Sequence, residues 1–480
     1  MKVTFLKTLA LSSLVSGAAW AQSSAAELKE EARSIFLTSC AASCHNKAVS
    51  PRLTDASGDV DFNAVKLNAA RIIARVQDAS MPPRRAPASQ QITAAQRETL
   101  LQYVKSLQTD TPDNAGLPLA SLRLASGFNI EVFAKAEGAR SLAVHPEGIV
   151  FVGTGGFSNV DPNGRVHAIV PTSSGRKVIA LAWNLDNPNG VALQGNDLYV
   201  AEQTRVIRFK DAVGWVKANV GKNLGKTSAP FTTVYSGLPD QPTHSWKYLG
   251  FGPDGKLYLN IGAPCNICLP DRDTYATIMR MNADGSNLET VARGVRNTVG
   301  FTWHPETREM WFTDNGRDQL GDNLPPDELN RLTADGQDFG YPYCHAKTIS
   351  DPTYGKNQDC RSDAFTKPEV ELGAHVAALG LTFYQGSMFP AAYQNAVFIA
   401  EHGSWNSSRK NGYRLSVVQF KQDAEGKTVA TYQPFIAGWL NDANQTNWGR
   451  PVDVKNYVDG SLLLSDDQTG AIYRVTYTTP

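Results

Sequence analysis

The sequence predicts a mainly β fold: a six-bladed β-propeller over residues 119–480, preceded by a small all-α domain over residues 22–110. Two observations carry this. A strand–turn–strand pattern returns six times after Leu119, and two helical apolar stripes flank a Cys-His motif before Thr109. A third observation, a basic and then apolar start, sets a leader apart from both domains.

Lys2 and Lys7 form the basic start, residues 9–15 an apolar centre, and Ala19-Trp20-Ala21 a small-x-small cleavage site before Gln22. Residues 1–21 therefore read as a signal peptide cleaved after Ala21. The apolar centre is too short to span a bilayer, and no later run of 18 or more apolar residues follows. The expectation is a soluble periplasmic protein with no integral membrane segment. Without Lys2 and Lys7, 44 basic residues face 46 acidic ones. That balance gives no support to nucleic-acid or anionic-membrane binding.

In the first domain Leu28, Ala32, Ile35 and Phe36 recur at i, i+4, i+7 and i+8, one apolar helix face leading into Cys40. The stretch Cys40-Ala-Ala-Ser-Cys44-His45 follows. Two thiols with an adjoining histidine are what covalent haem needs: a thioether from each cysteine and an imidazole beneath the iron. The usual spacing has two residues between the cysteines; here there are three. Thr93 and Gln96 form a capping box ahead of Leu100, Leu101, Val104 and Leu107, a second amphipathic helix. Between the helices lies Ser80-Met81-Pro82-Pro83, 36 residues after His45, with the domain's one methionine. A thioether there raises the haem potential, which suits an electron acceptor. The segment resembles class I cytochrome c along its whole length, the extra residue between the cysteines apart. It implies one covalent haem c, held by Cys40 and Cys44 and ligated by His45 and Met81. A plain Cys40–Cys44 disulfide beside a chance histidine is the alternative.

Pro112, Gly116 and Pro118 mark residues 111–118 as a linker. The six repeats are Ser141-LAVHPEGIVFVGT, Gly190-VALQGNDLYVAE, Tyr248-LGFGPDGKLYLNIG, Gly300-FTWHPETREMWFTDN, Gly380-LTFYQGSMFPAAYQNAVFIAEHG and Pro451-VDVKNYVDGSLLLSDD. Each reads as a hairpin with period-2 alternation, several with Asp-Gly or Glu-Gly turns. About 60 residues per unit suits a propeller with long loops on one face, whereas a β-sandwich explains the sixfold recurrence poorly. Cys265, Cys268, Cys344 and Cys360 are an even number in an oxidising compartment. Pairing of neighbours, Cys265–Cys268 and Cys344–Cys360, closes short loops; a four-thiolate zinc site is the alternative.

In a propeller the inner strands line a channel, and loops at one mouth build the site. Polar residues flanking the repeats are the candidates: Asn189, His244, Arg296, Asn297 and Arg450, with Asp314-Asn315-Gly316 ending the fourth repeat. Two arginines and an imidazole facing a channel suit an anionic, planar, oxygen-rich ligand.

The stretches His244-SWKYLGFGPDGKLY, Gly294-VRNTVGF and Trp311-FTDNGRDQLGDNLPPDELN carry a resemblance to the soluble quinoprotein dehydrogenases. These are the PQQ-dependent soluble glucose dehydrogenase and, more closely, the L-sorbosone and pyranose dehydrogenase-like group, from about Leu119 to the C-terminus. The resemblance implies PQQ and Ca²⁺ as cofactors. It makes His244 the general base on the substrate's C1 hydroxyl, has Arg296 and Asn297 bind or polarise the quinone, and pairs Arg450 with a PQQ carboxylate. The carbonyls of Gly316 and Arg317 would hold Ca²⁺, and Asn189 stands where the family has a polar residue at the rim. An imidazole near its ordinary pKa suits a general base. Hard Ca²⁺ polarises a quinone through oxygen ligands.

There are departures. The family aspartate before the histidine is Thr243 here, and the family proline after the calcium glycine is Arg317. A family lysine is replaced within Glu401-His402-Gly403-Ser404-Trp405, which makes His402 and Lys247 candidate cofactor contacts. His145 and His304, in His-Pro-Glu turns, read as surface residues. Asp322, Asp327 and Glu328 form either a second calcium site or a solvated loop. Trp246 and Trp405 are either sugar platforms or packing.

The function these readings favour is oxidation of a sugar or aldehyde (an aldose, a pyranose or L-sorbosone) at C1. Electrons then pass to the chain's own haem and on to an external acceptor such as a soluble cytochrome or the respiratory chain. A calcium-dependent lactonase-type hydrolase and a non-catalytic propeller docking into an electron-transfer chain are the alternatives; the first leaves the cytochrome unexplained, and the second predicts no binding of PQQ.

Overall fold

The computed structural model describes residues 25–41, 59–60, 65, 72, 76, 91–106, 116–155, 164–173, 175–423 and 425–479. The first helix, Ala25–Ile35, is built from strong helix formers with Arg33 in its last turn. It continues as a π-helical turn over Phe36–Ala41. The second, Ala94–Ser106, begins at the expected capping box: Thr93 N–H donates to Gln96 Oε1 at 2.9 Å and Gln96 N–H to Thr93 Oγ1 at 3.1 Å. Ala32, Ile35 and Phe36 share one small core with Leu100, Leu101 and Val104. Leu107, Cys44, His45, Met81 and the side chain of Cys40 lie outside the described residues, as do the leader and residues 111–115 of the linker.

From Leu119 the chain forms six antiparallel sheets of four strands each, two of them extended by a fifth. Their inner strands are Ala139–Val144, Gly190–Gln194, Leu249–Phe251, Phe301–Trp303, Ala378–Phe383 and Pro451–Asn456. Each inner pair coincides with one of the six repeats, so the β-propeller is as expected. The strict alternation is not. Second strands such as Val150–Thr154, Leu257–Ile261 and Leu462–Asp466 are buried at every residue. Each lies between two neighbouring sheets, so both of its faces are covered, as in other doubly covered sheets.

Apolar cores fill the gaps between blades. Phe151, Val166 and Leu181 of the first blade meet Leu198, Val200 and Ile207 of the second. At the inner edge glycines let adjacent blades touch. A Cβ on Gly153 would lie 2.1 Å from the Asn189 carbonyl, and one on Gly300 would lie 2.3 Å from that of Leu379. The ring closes through the two ends of the propeller: strand Phe128–Lys135 pairs with Ala471–Tyr477 as the outer strand of the last blade. Strand Arg123–Leu124 similarly extends the fifth blade.

Both expected disulfides are present, Cys265–Cys268 and Cys344–Cys360. Of the two turn histidines, His304 is half-buried edge-on to Phe383, with ring centroids 4.8 Å apart. His145 is buried rather than at the surface: its turn folds inward and Nδ1 accepts the Glu147 N–H at 3.2 Å. Among the described residues no helix is long and apolar enough to cross a membrane. One end of the channel is a cavity of about 350 Å³ reached by all six inner strands, with Leu193, Phe251, Trp303 and Lys455 in its wall. The expected site lies at the other end.

Candidate active site at the channel mouth

The residues immediately before the six repeats are Arg140, Asn189, Lys247, Val299, Leu379 and Arg450. Equivalent blade positions converge on the axis. Val299 and Leu379 meet Val452 and Trp246 there in an apolar floor, and the polar members gather around it.

His244 sits in the left-handed region at φ 50°, a conformation unusual for a non-glycine residue and common where function dictates geometry. Gly262 makes this possible, since a Cβ there would come within 2.5 Å of His244 Cβ. The ring Nδ1 lies 2.7 Å from the Ala263 carbonyl. A carbonyl only accepts, so Nδ1 carries the proton and Nε2 keeps its lone pair. Thr243 in place of the family aspartate therefore leaves the ring oriented, by the main chain. The pKa expectation needs correction. Burial, reinforced by the Arg296 charge, pushes the imidazole down to about 3 against the raising effect of the Ala263 bond.

Arg296 and Asn297 stand beside it. Ala263 N–H donates to the Arg296 carbonyl at 2.8 Å, which ties their loop to the histidine's anchor. The Arg296 and Asn297 N–H groups both donate to the Asp314 carboxylate, at 2.8 and 2.6 Å. The guanidinium is held by the Asn266 carbonyl, the Asn266 Oδ1 and the Asn315 carbonyl. Asn297 Oδ1, close to Gly262, is buried without a hydrogen-bond partner among the described residues.

A second cluster surrounds Arg140, which sequence reasoning missed. It is fully buried, donates from Nε to Asn189 Oδ1 at 2.7 Å and from Nη1 to Asp467 at 2.5 Å, and lies 4.0 Å over the Trp246 ring. Its Nη2 and the Trp246 Nε1 are buried with no partner among the described residues. The signal was available, because Arg140 occupies the repeat position of Asn189, Lys247 and Arg450. Asn189 is buried rather than at the rim, bridging Arg140 to the Lys247 carbonyl. His402 does not present an open ring. Its Nε2 is 2.9 Å from Asp467, and burial pushes it down to about 4 despite that carboxylate. Arg450 donates to the His402 and Gly403 carbonyls at 3.0 and 2.8 Å. Lys247 is buried with its ammonium on the Ser245 carbonyl, and burial lowers it to about 8 against the pull of Asp240. That turns it away from the arginines.

Gly316 and Arg317 lie beside a buried acidic group. Gly316 N–H donates to Asp327 at 2.9 Å, and Arg317 pairs with Asp351 at 2.6 Å. Burial raises Asp314, Asp327 and Glu328, and mutual repulsion adds to Asp327 and Glu328. Asp322 caps Ser408, Asp327 receives the Gly316 and Ala378 N–H groups, and Glu328 that of Ala346. Asp327 and Glu328 are thus buried acceptors for the main chain, while Asp322 stands in an exposed loop. Among the described residues no three His, Cys, Asp or Glu side chains gather as metal ligands. A cation at Gly316 would rest on main-chain carbonyls, within negative potential from the carboxylates behind them, which fits a hard ion.

The orphaned atoms test the fit of a quinone cofactor. Arg140 Nη2, Trp246 Nε1 and Asn297 Oδ1 are buried polar groups at one mouth, and such groups ordinarily find partners. Two donors and one acceptor around an indole floor suit an anionic, planar, oxygen-rich ligand.

The fold and site define a six-bladed propeller with a cationic channel mouth. Residues 272–478 match the TrAA12-like family model. An uncharacterised protein of Borreliella burgdorferi is 35% identical over 367 residues, covering 75% of this chain and 91% of that protein. Among solved structures, the calcium structure of the Trichoderma reesei Carbohydrate-Active Enzymes Family AA12 protein superposes with a TM-score of 0.61 at 17% identity, over 76% of this chain and 99% of that one. The holo pyranose dehydrogenase PQQ domain of Coprinopsis cinerea gives 0.58 at 18% identity, over 74% and 97%. These likenesses establish the shared fold.

Proposed function

We propose that the protein is a periplasmic PQQ-dependent dehydrogenase that oxidises a sugar or aldehyde at C1 and passes the electrons to its own haem c, then to an external acceptor. The observation that carries this reading is His244. Its tautomer is fixed by Ala263, its Nε2 is unprotonated, and it stands beside Arg296 and Asn297 at the mouth. The family match and the pyranose dehydrogenase PQQ domain among the fold's neighbours support the quinone. The two disulfides support an oxidising compartment.

When bound, PQQ supplies the two-electron oxidant at this mouth and Ca²⁺ a Lewis acid. The chain's residues supply the rest. His244 Nε2 accepts the proton of the C1 hydroxyl. Arg296 and Asn297 orient the oxygen-rich edge of the ligand. Arg140 and Arg450 offer positive charge to its anionic groups, and the main chain at Gly316 and Arg317 offers carbonyls to the cation. Cys40, Cys44, His45 and Met81 are the proposed haem residues.

Apo-protein reconstituted with PQQ and Ca²⁺ should oxidise some member of an aldose, pyranose and L-sorbosone panel, with bleaching of an artificial acceptor as the readout. His244→Ala should lower the turnover roughly 10²–10⁴-fold while PQQ still binds. Failure of every substrate, or full turnover by the variant, sinks the proposal. A secreted chain with the mass of bare polypeptide would remove the haem.

A further inference from the structure

Arg296 is held in an uncommon way. A buried arginine is ordinarily matched by a carboxylate, often in a two-point contact. Here the nearest, Asp318, stands off at 3.6 Å. The fixed contacts are to neutral oxygens, and two come from one residue: Nε donates to the Asn266 carbonyl and Nη2 to Asn266 Oδ1, each at 2.9 Å. The third, from Nη1, goes to the Asn315 carbonyl at 3.0 Å.

Asn266 is itself immobilised. It lies inside the three-residue span closed by the Cys265–Cys268 disulfide. The Tyr341 hydroxyl lies 3.4 Å from Cys265 Sγ and accepts the Cys268 N–H at 3.2 Å. The Asn266 side chain takes the Asp318 N–H at 2.9 Å and donates to the Asp318 carbonyl at 3.3 Å. Every polar atom of that amide has a partner, and none brings a full charge to the guanidinium.

We propose that Asn266, clamped by the Cys265–Cys268 disulfide, is a positioning residue that aims Arg296 at the anionic ligand of the mouth through neutral acceptors, which add no negative charge to the carboxylates already nearby. This rests on the quinone reading above. Neutral acceptors fix direction as a carboxylate would and add no counter-charge to that of Asp318, Asp314 and Asp327 nearby. In a site screened from water that difference is felt by any anion brought near.

The test is titration of the apo-protein with PQQ, followed by tryptophan fluorescence, with melting temperature recorded on the same samples. Asn266→Ala should weaken binding about tenfold. Asn266→Asp, which keeps both acceptors but adds a negative charge, should weaken it at least as much. Cys265→Ser combined with Cys268→Ser should also weaken it and leave the melting temperature nearly unchanged. A purely structural Asn266 would lower the melting temperature and leave the ligand contact alone, so wild-type affinity in Asn266→Ala overturns the inference while the quinone reading stands. If the wild-type protein binds no PQQ, the quinone reading fails and takes the inference with it.

Discussion

The Ala263 carbonyl fixes the proton of His244 on one nitrogen and leaves the other ready to accept, at any pH above about 3. Burial sets a similar low pKa elsewhere, and there it bears on stability. His167, buried with its Nε2 unpartnered among the described residues, is pushed down to about 4 by burial and then by Arg165. Between pH 6.5 and 4 the unfolded chain binds a proton that the folded one refuses. Stability is therefore full above that window and falls as pH drops through it, by about 3 kcal/mol for one such group. His167→Gln should flatten the loss seen in denaturant titrations at pH 7.5 and pH 4.5; an unchanged slope would contradict it. Arg140→Gln leaves Asp467 with His402 and Arg450 alone, and should cost about 3 kcal/mol in the same assay. At this scale the sequence showed which residue types flank each repeat, and so located His244, Arg296, Asn297 and Arg450. It could not show that His402 is taken by Asp467, because that partner lies on another blade. Arg140 holds the same register as Arg450 and was within reach of the same argument.

The inner hairpins were legible because their signal is local: turn chemistry, β-branched residues and a fixed length. The strands that follow at Val206, Thr277 and Ala471 were legible in the same way, whereas the long loops were not, since their pairings depend on contacts across blades. Asp322 with Ser408, Asn266 with Asp318 and Lys410 with Asn447 stitch successive mouth loops together, and no spacing in the chain announces them. The two disulfides were legible as short loop closures. The helix pair was legible through periodicity and its cap. At the blade edges the glycines are the elements' weak point. Gly153→Ala places a methyl 2.1 Å from the Asn189 carbonyl. Main chain cannot retreat as a flexible side chain would, so a loss of roughly 3 kcal/mol is expected, at the upper end for overpacking. It should appear as a lowered melting temperature. Gly175→Ala is the control for empty space: it meets nothing within 4 Å, and its φ of 108° charges only a backbone penalty.

The ring as a whole was legible from the sixfold count, but its manner of closure was not. Strand Phe128–Lys135 and strand Ala471–Tyr477 are individually ordinary, and only the closed circle makes them partners. Deletion of residues 471–480 should therefore leave no partly stable five-bladed remnant. It should abolish soluble protein, read as loss of the cooperative thermal transition, and a truncated chain that still melts cooperatively would refute this.

That seam also fixes the order of assembly. Strand Phe128–Lys135 must wait until the last strand has been made and delivered, because its ladder partner is Ala471–Tyr477. Until then the molecule is an open arc with a raw sheet flank at each end, the geometry that invites pairing with another copy. The sequence keeps charge on the waiting strand, with Glu131 and Lys135, and Glu131 finds Arg474 only when the seam closes. The last joint to form is thus the one that carries its own guard against the wrong partner.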